Sequence, residues 1–153
     1  MSTLNHDQIH GVALALGVDP DGPLVGVLVT GPSGAGKSRL ALEVIDQCPW
    51  RRSGLIADDI VCLERHGAGV IAKAPDALRG IIEIRGFGPA PIRTAAPRPM
   101  RVVFELVDDS PRVPEKESFD AGGVFIPRLP FQLWHPAPVA RLRHVVRSIL
   151  MDN

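Results

Sequence analysis

Apolar and polar positions along this chain fall into short runs whose period changes several times. Gly11 to Leu16 (Gly-Val-Ala-Leu-Ala-Leu) and Leu24 to Thr30 (Leu-Val-Gly-Val-Leu-Val-Thr) are apolar runs of buried-strand length. Between them Gly17 to Pro23 carries Asp-Pro-Asp-Gly-Pro, which is turn chemistry, so the two runs predict a hairpin. From Ser38 to Gln47 the period shifts, and Leu40, Ala41, Val44 and Ile45 recur at helical spacing. After a break at Pro49 to Gly54, Leu55 to Ala57 and Ile60 to Leu63 are apolar runs interrupted by Asp58 and Asp59. Gly67 to Gly69 predicts a second turn, from which Val70 to Ala74 returns antiparallel to Ile60 to Leu63. Pro75 starts a short helical turn, Ile81 to Ile84 is a short strand, and the four prolines in Pro89 to Pro99 predict loop. Arg101 to Val107 is a strong strand candidate and Gly122 to Ile126 a weaker one. Val139 to Leu150 is a terminal helix with Val139, Leu142, Val146, Ile149 and Leu150 on one side. Many short strands, antiparallel turns and few helices predict an α/β fold with a mixed sheet, in contrast to a parallel, helix-covered one.

Composition narrows the class without choosing within it. A chain of 153 residues is one domain's worth, 1–153. Seventeen basic and seventeen acidic side chains give zero formal charge, so no global field invites nucleic acid or a membrane surface. Arg51, Arg52, Arg93, Arg98 and Arg101 are local exceptions, read as solvated or protein-facing. Cys48 and Cys62 follow no metal-ligand or redox spacing, which suits a reducing compartment. No basic start leads into an apolar stretch and no run reaches membrane-spanning length. A cytoplasmic location is expected.

Chemistry enters at Gly31-Pro32-Ser33-Gly34-Ala35-Gly36-Lys37-Ser38, a complete G-x-x-x-x-G-K-[ST] loop set between the second strand and the first helix. Gly31, Gly34 and Gly36 permit the backbone angles that turn successive N–H groups toward an anion. Lys37 reaches terminal phosphates, and Ser38 offers a hydroxyl to Mg²⁺. The helix N-terminus adds its partial positive charge. A nucleoside triphosphate is the predicted ligand. Phosphoryl transfer also needs a carboxylate near the metal or the attacking group, and two runs end in Asp-Asp. Asp108-Asp109-Ser110-Pro111 reads as a solvated turn after an edge strand, whereas further apolar residues follow Asp58 and Asp59 at once, placing that pair inside a structured region.

Four segments occur in order: His10-Gly11-Val12, the loop from Gly31 to Ser38, Leu55-Ile56-Ala57-Asp58-Asp59, and Glu83-Ile84-Arg85-Gly86-Phe87-Gly88. Together they resemble the catalytic domain of the bacterial HPr kinase/phosphorylase family, closely from His10 to Gly88 and loosely thereafter. The resemblance implies an ATP- and Mg²⁺-dependent kinase acting on a serine of HPr, the phosphocarrier of the sugar phosphotransferase system, often with phosphate-dependent reversal. It also implies a fold similar to phosphoenolpyruvate carboxykinase and, by family habit, a homo-oligomer, often a hexamer. A short segment before His10 reads as a minimal form without the family's N-terminal domain.

By this resemblance Asp58 takes the proton of the incoming serine and Asp59 supports it. His10 sits beside Asp58, Lys37 neutralises phosphate charge, and Ser38 and Glu83 ligate Mg²⁺. Arg85 lies near the phosphates or Glu83; a structural Glu83–Arg85 ion pair fits the same spacing. Arg39 stands where the family has an acidic residue, and contact with phosphate, contact with a partner and plain surface all fit it. Pro89-Ala90-Pro91-Ile92-Arg93 replaces an apolar segment of the family. A further active-site arginine is expected, with Arg112 the nearest match. A small-molecule P-loop kinase and a non-catalytic ATP-sensing module are the alternatives.

Overall fold

The computed structural model describes residues 7–111 and 114–151. In chain order these form β1 (Asp7–Leu16), β2 (Val25–Thr30), α1 (Lys37–Asp46), β3 (Gly54–His66) and β4 (Gly69–Lys73), then a 3-10 turn at Asp76–Leu78. There follow β5 (Ile81–Ile84), β6 (Gly88–Pro91), β7 (Arg98–Leu106), β8 (Glu117–Ala121), β9 (Val124–Phe131) and α2 (Pro138–Met151). Seven strands form one mixed sheet in the order β2-β1-β3-β4-β7-β9-β8, while β5 and β6 make a separate hairpin. Since β2 also pairs with β7, the strands β2-β1-β3-β4-β7 close into a ring. Within the sheet β2, β7 and β9 run parallel and deliver their C-terminal ends to one side of the molecule.

Two apolar layers hold this arrangement. On one face, Val12, Leu14, Val27, Val29, Val102 and Phe104 pack against Leu40, Ala41 and Val44 of α1 and Leu142 and Val146 of α2. The edge-to-face contact of Phe104 with Phe131, centroids 5.5 Å apart, lies in this layer. On the other face smaller residues, among them Ala13, Ala15, Ala57, Ala72 and Val103, are enclosed by the curvature of the sheet itself. Helix α2 thus covers the core, as its apolar side predicts.

Several sequence expectations shift. The two apolar runs around Asp58 and Asp59 are one continuous strand. The segment from Pro89 is not wholly loop: Pro89 and Pro91 sit in β6, where an outer strand of a two-stranded hairpin has no second neighbour needing their missing N–H groups. Strand β7 begins at Arg98 and is interior, so Asp108 and Asp109 follow a central strand and not an edge. Gly122 and Gly123 form the turn between β8 and β9, with φ of 66° and 93°, and the strand expected to start at Gly122 begins at Val124 and runs on to Phe131.

The close parallel approach of β2 and β7 depends on Gly26. A Cβ there would lie 2.2 Å from the Pro99 carbonyl oxygen, a backbone atom that cannot turn aside. Gly26→Ala is expected to destabilise the fold by about 1–3 kcal/mol through overpacking, read as a lower denaturation midpoint in urea.

At the far end of α1 the chain is tied by polar contacts. Arg93 donates to the carbonyls of Ile45 (2.7 Å) and Ser53 (2.8 Å), satisfying a helix C-terminus. Buried Ser53 accepts the Gly17 N–H at 2.9 Å. Burial raises the pKa of the Cys48 thiol, but the Ser53 hydroxyl and the N–H groups of Arg52, Ser53 and Trp50 outweigh it and bring the value down to about 6. A thiol depressed on folding adds stability that is present above its unfolded pKa and lost as pH falls through the folded one. The stability difference between wild type and Cys48→Ala is therefore expected to grow from pH 6 to about pH 9, measurable by thermal unfolding at both ends.

Candidate active site

The phosphate-binding loop leaves the end of β2 and turns into α1 through Gly36, whose φ of 103° is left-handed. That backbone angle is what favours glycine here; an added Cβ would also lie 2.5 Å from Leu133 Cδ2, a side-chain end from the segment after β9 that could turn aside. Gly31 and Gly34 also have positive φ, 149° and 81°. Lys37 lies back along the loop, its Nζ donating to the carbonyls of Gly31 (2.9 Å) and Pro32 (3.0 Å). Above the loop opens a cleft of about 750 Å³, lined by Ser33 to Arg39, Val12, Leu42, Asp59, Glu83, Ile84, Arg85 and Leu133.

The two aspartates occupy different places, for a reason lodged in strand pairing. Ala13 of β1 pairs with Ala57 and Leu14 with Leu55, so Ile56 is an extra residue bulged out of register. Leu55 faces the helices, and strict alternation would send the residue three positions on to the opposite face. The bulge corrects this, and Asp58 points toward α1. There it is only 5% exposed, accepting the Ser38 hydroxyl at Oδ1 (2.6 Å) and the Glu83 N–H at Oδ2 (3.0 Å). The short Ser38 contact has the length of a charge-assisted bond.

Asp59 pairs across to Gly11 and would by alternation join Ala57 and Val61 on the far face. Its φ of 69°, rare for a residue with a side chain, turns it instead into the cleft, where the carboxylate is 73% exposed. His10 is found here, its Nδ1 3.9 Å from Asp59 Oδ1.

The remaining expected residues distribute as follows. Glu83 and Arg85 both face the cleft from the β5–β6 hairpin, whose tip carries the 78% exposed Phe87. No ion pair joins Glu83 to Arg85 among the described residues, so both side chains are available to the cleft. Arg39 lines the cleft while paired with Glu43 on α1 at 3.1 Å. Arg112 lies outside the described residues. Val12 belongs to the His10-Gly11-Val12 segment, whereas Leu42 and Leu133 line the cleft without having been singled out from sequence, because ordinary apolar residues carry no motif.

The donor set fits Mg²⁺ with a nucleoside triphosphate. Among the described residues no group of three or more His, Cys, Asp and Glu side chains forms a ready cage for a metal. Mg²⁺ characteristically takes one or two protein oxygens, keeps waters and draws other ligands from phosphate, which suits Ser38 and its carboxylate neighbours. A glycine-rich loop and a lysine at a helix N-terminus, joined through a serine hydroxyl to a buried aspartate, form a kinase-like phosphate-binding loop with a carboxylate set behind it.

Comparison with known proteins narrows this class. The family model of the HPr Serine kinase C-terminal domain matches residues 3–95. The chain belongs to that family. HPr kinase/phosphorylase of Bordetella pertussis is 48% identical over 88 residues, covering 56% of this chain and 25% of the relative. That of Azoarcus is 45% identical over 89 residues, covering 57% and 25%. The matched segment thus spans about a quarter of these relatives' length. The Hpr(Ser) kinase/phosphatase structure from Coxiella burnetii superposes with a TM-score of 0.78 at 23% identity, covering 95% of this chain and 92% of that one, so the mixed-sheet fold is shared across nearly the whole chain.

Proposed function

We propose that this chain is an ATP-dependent serine kinase of the phosphocarrier protein HPr, acting in the cytoplasm, with phosphate-dependent removal of the same phosphate as a second activity. The observation that carries the reading is the Ser38–Asp58 hydrogen bond with Asp59 alone turned into the cleft. It divides two adjacent carboxylates between a metal-side and a substrate-side role. Family membership supports HPr as the acceptor.

Mg²⁺, when bound, neutralises phosphate charge and orients it for in-line transfer. Ser38 would hold it, with Glu83 at the cleft wall, and Asp58 accepts the Ser38 hydroxyl hydrogen bond from behind. Lys37 leaves the loop carbonyls for the terminal phosphates, and loop N–H groups hold the anion. Asp59, exposed in the cleft, accepts the proton of the attacking serine hydroxyl as its oxygen bonds to phosphorus and the bond to the ADP oxygen breaks. In the phosphate-dependent removal, an oxygen of inorganic phosphate bonds to the phosphoserine phosphorus, the bond to the serine oxygen breaks as Asp59 returns the proton to it, and pyrophosphate leaves. His10 positions Asp59 by its charge and ring, and Arg85 bears on the transferring phosphate. This exchanges the roles that resemblance alone gives the two aspartates.

The test is transfer of the terminal phosphate of labelled ATP, with Mg²⁺, to HPr and to HPr with its acceptor serine replaced by alanine. Label on the first alone is expected. Label on neither, with ATP still bound, would move the assignment to a small-molecule acceptor or to ATP sensing.

A further inference from the structure

The parallel strands β2, β7 and β9 end side by side, with Thr30 paired to Glu105 and Leu106 to Phe131. Ligands of open α/β sheets sit in the crevice outside such carboxyl ends. The phosphate loop fills the first of these ends. Beyond it a second groove, of about 480 Å³, lies between Pro32 of the loop and the segments that follow β7 and β9. Ala35, Arg39 and Leu133 line both this groove and the main cleft, so the two adjoin. In its wall stands Trp134, 67% exposed, an unusual place for the largest apolar side chain. Its ring is held from two sides: Nε1 donates to the Asp108 carbonyl at 2.9 Å, and the His135 ring lies beside it, tilted at 41° with centroids 4.2 Å apart.

We propose that this groove receives the nucleobase of the triphosphate, with Trp134 as the stacking platform and the Asp108 side chain accepting from ring or exocyclic N–H groups of a purine. The proposal rests on the nucleotide reading above and deepens it. The metal-side carboxylate Asp58 lies on the β1–β3 flank of the loop. The terminal phosphates therefore point that way, and the nucleoside leaves on the opposite, β7–β9 flank. A rigid, exposed indole within reach of the loop supplies a sequence-tolerant π-face, and stacking on aromatic side chains is a principal source of affinity for bases.

Trp50, at the other end of α1 beside Arg143, is the only second tryptophan and is replaced by phenylalanine, so that Trp134 alone emits. ATP is expected to quench that emission, whereas inorganic tripolyphosphate is expected to compete with ATP without quenching. Trp134→Ala should weaken ATP binding on the order of ten-fold while leaving tripolyphosphate affinity unchanged, and Trp134→Phe should recover part of the loss. Equal weakening of both ligands, or of neither, would overturn the base site while leaving the loop reading intact. Emission that changes with protein concentration in the absence of nucleotide would assign the patch to contact between copies and overturn it equally. No binding of ATP or tripolyphosphate by the wild type would overturn the loop reading and this inference with it.

Discussion

Asp59→Asn is expected to lower the rate of phosphate transfer to HPr by about 10²–10⁴-fold, the range typical of a removed general base, while ATP affinity stays near that of the wild type. The asparagine keeps the size and exposure of the side chain but cannot take a proton. Its backbone position, φ 69°, suits asparagine better than most residues, so folding is not the confounder. Transfer kinetics under saturating ATP, paired with equilibrium nucleotide binding, separate the two effects. A variant retaining full rate would place the proton elsewhere and deprive Asp59 of its role.

The second large effect falls on Asp58, and it differs in kind. Asp58→Ala removes the acceptor of two donors, the Ser38 hydroxyl and the Glu83 N–H, in a nearly closed environment. Leaving such groups unsatisfied costs on the order of 1–3 kcal/mol each. The cost is lower where water enters the space vacated. Stability should therefore fall together with activity, and the Mg²⁺ concentration needed for half-maximal rate should rise because Ser38 is no longer oriented. Chemical denaturation and a Mg²⁺ titration of the residual rate check the two halves. Unchanged stability would show that the Ser38–Asp58 bond contributes little, and unchanged Mg²⁺ dependence would separate Asp58 from the metal.

These two residues also mark where sequence reading stops. The phosphate loop is legible because its chemistry is local: glycines, lysine and serine at fixed spacing announce backbone angles and ligand type together. The pairing of β1 with β2 and of β3 with β4 is legible for the same reason, since turn residues sit between apolar runs. What separates Asp58 from Asp59 is a bulge at Ile56 and a left-handed backbone at Asp59. Neither involves a glycine or proline, so no residue type signals it. Strand β6 escaped because prolines argue against a strand except at an outer edge. Strand β8, Glu-Ser-Phe-Asp-Ala, escaped because it is short and polar. Trp134 had no motif to flag it; only the convergence of β2, β7 and β9 brings it to the loop.

The division of labour between adjacent carboxylates is the centre of this account, and a crystal structure of the protein with Mg²⁺ and a non-hydrolysable ATP analogue tests it most directly. The expected result is a metal about 2.0–2.1 Å from Ser38 Oγ on the Asp58 side, with the Asp59 carboxylate facing the terminal phosphate and free of the metal. A metal bound by Asp59, with Asp58 released from Ser38 and turned toward the phosphate, would contradict it.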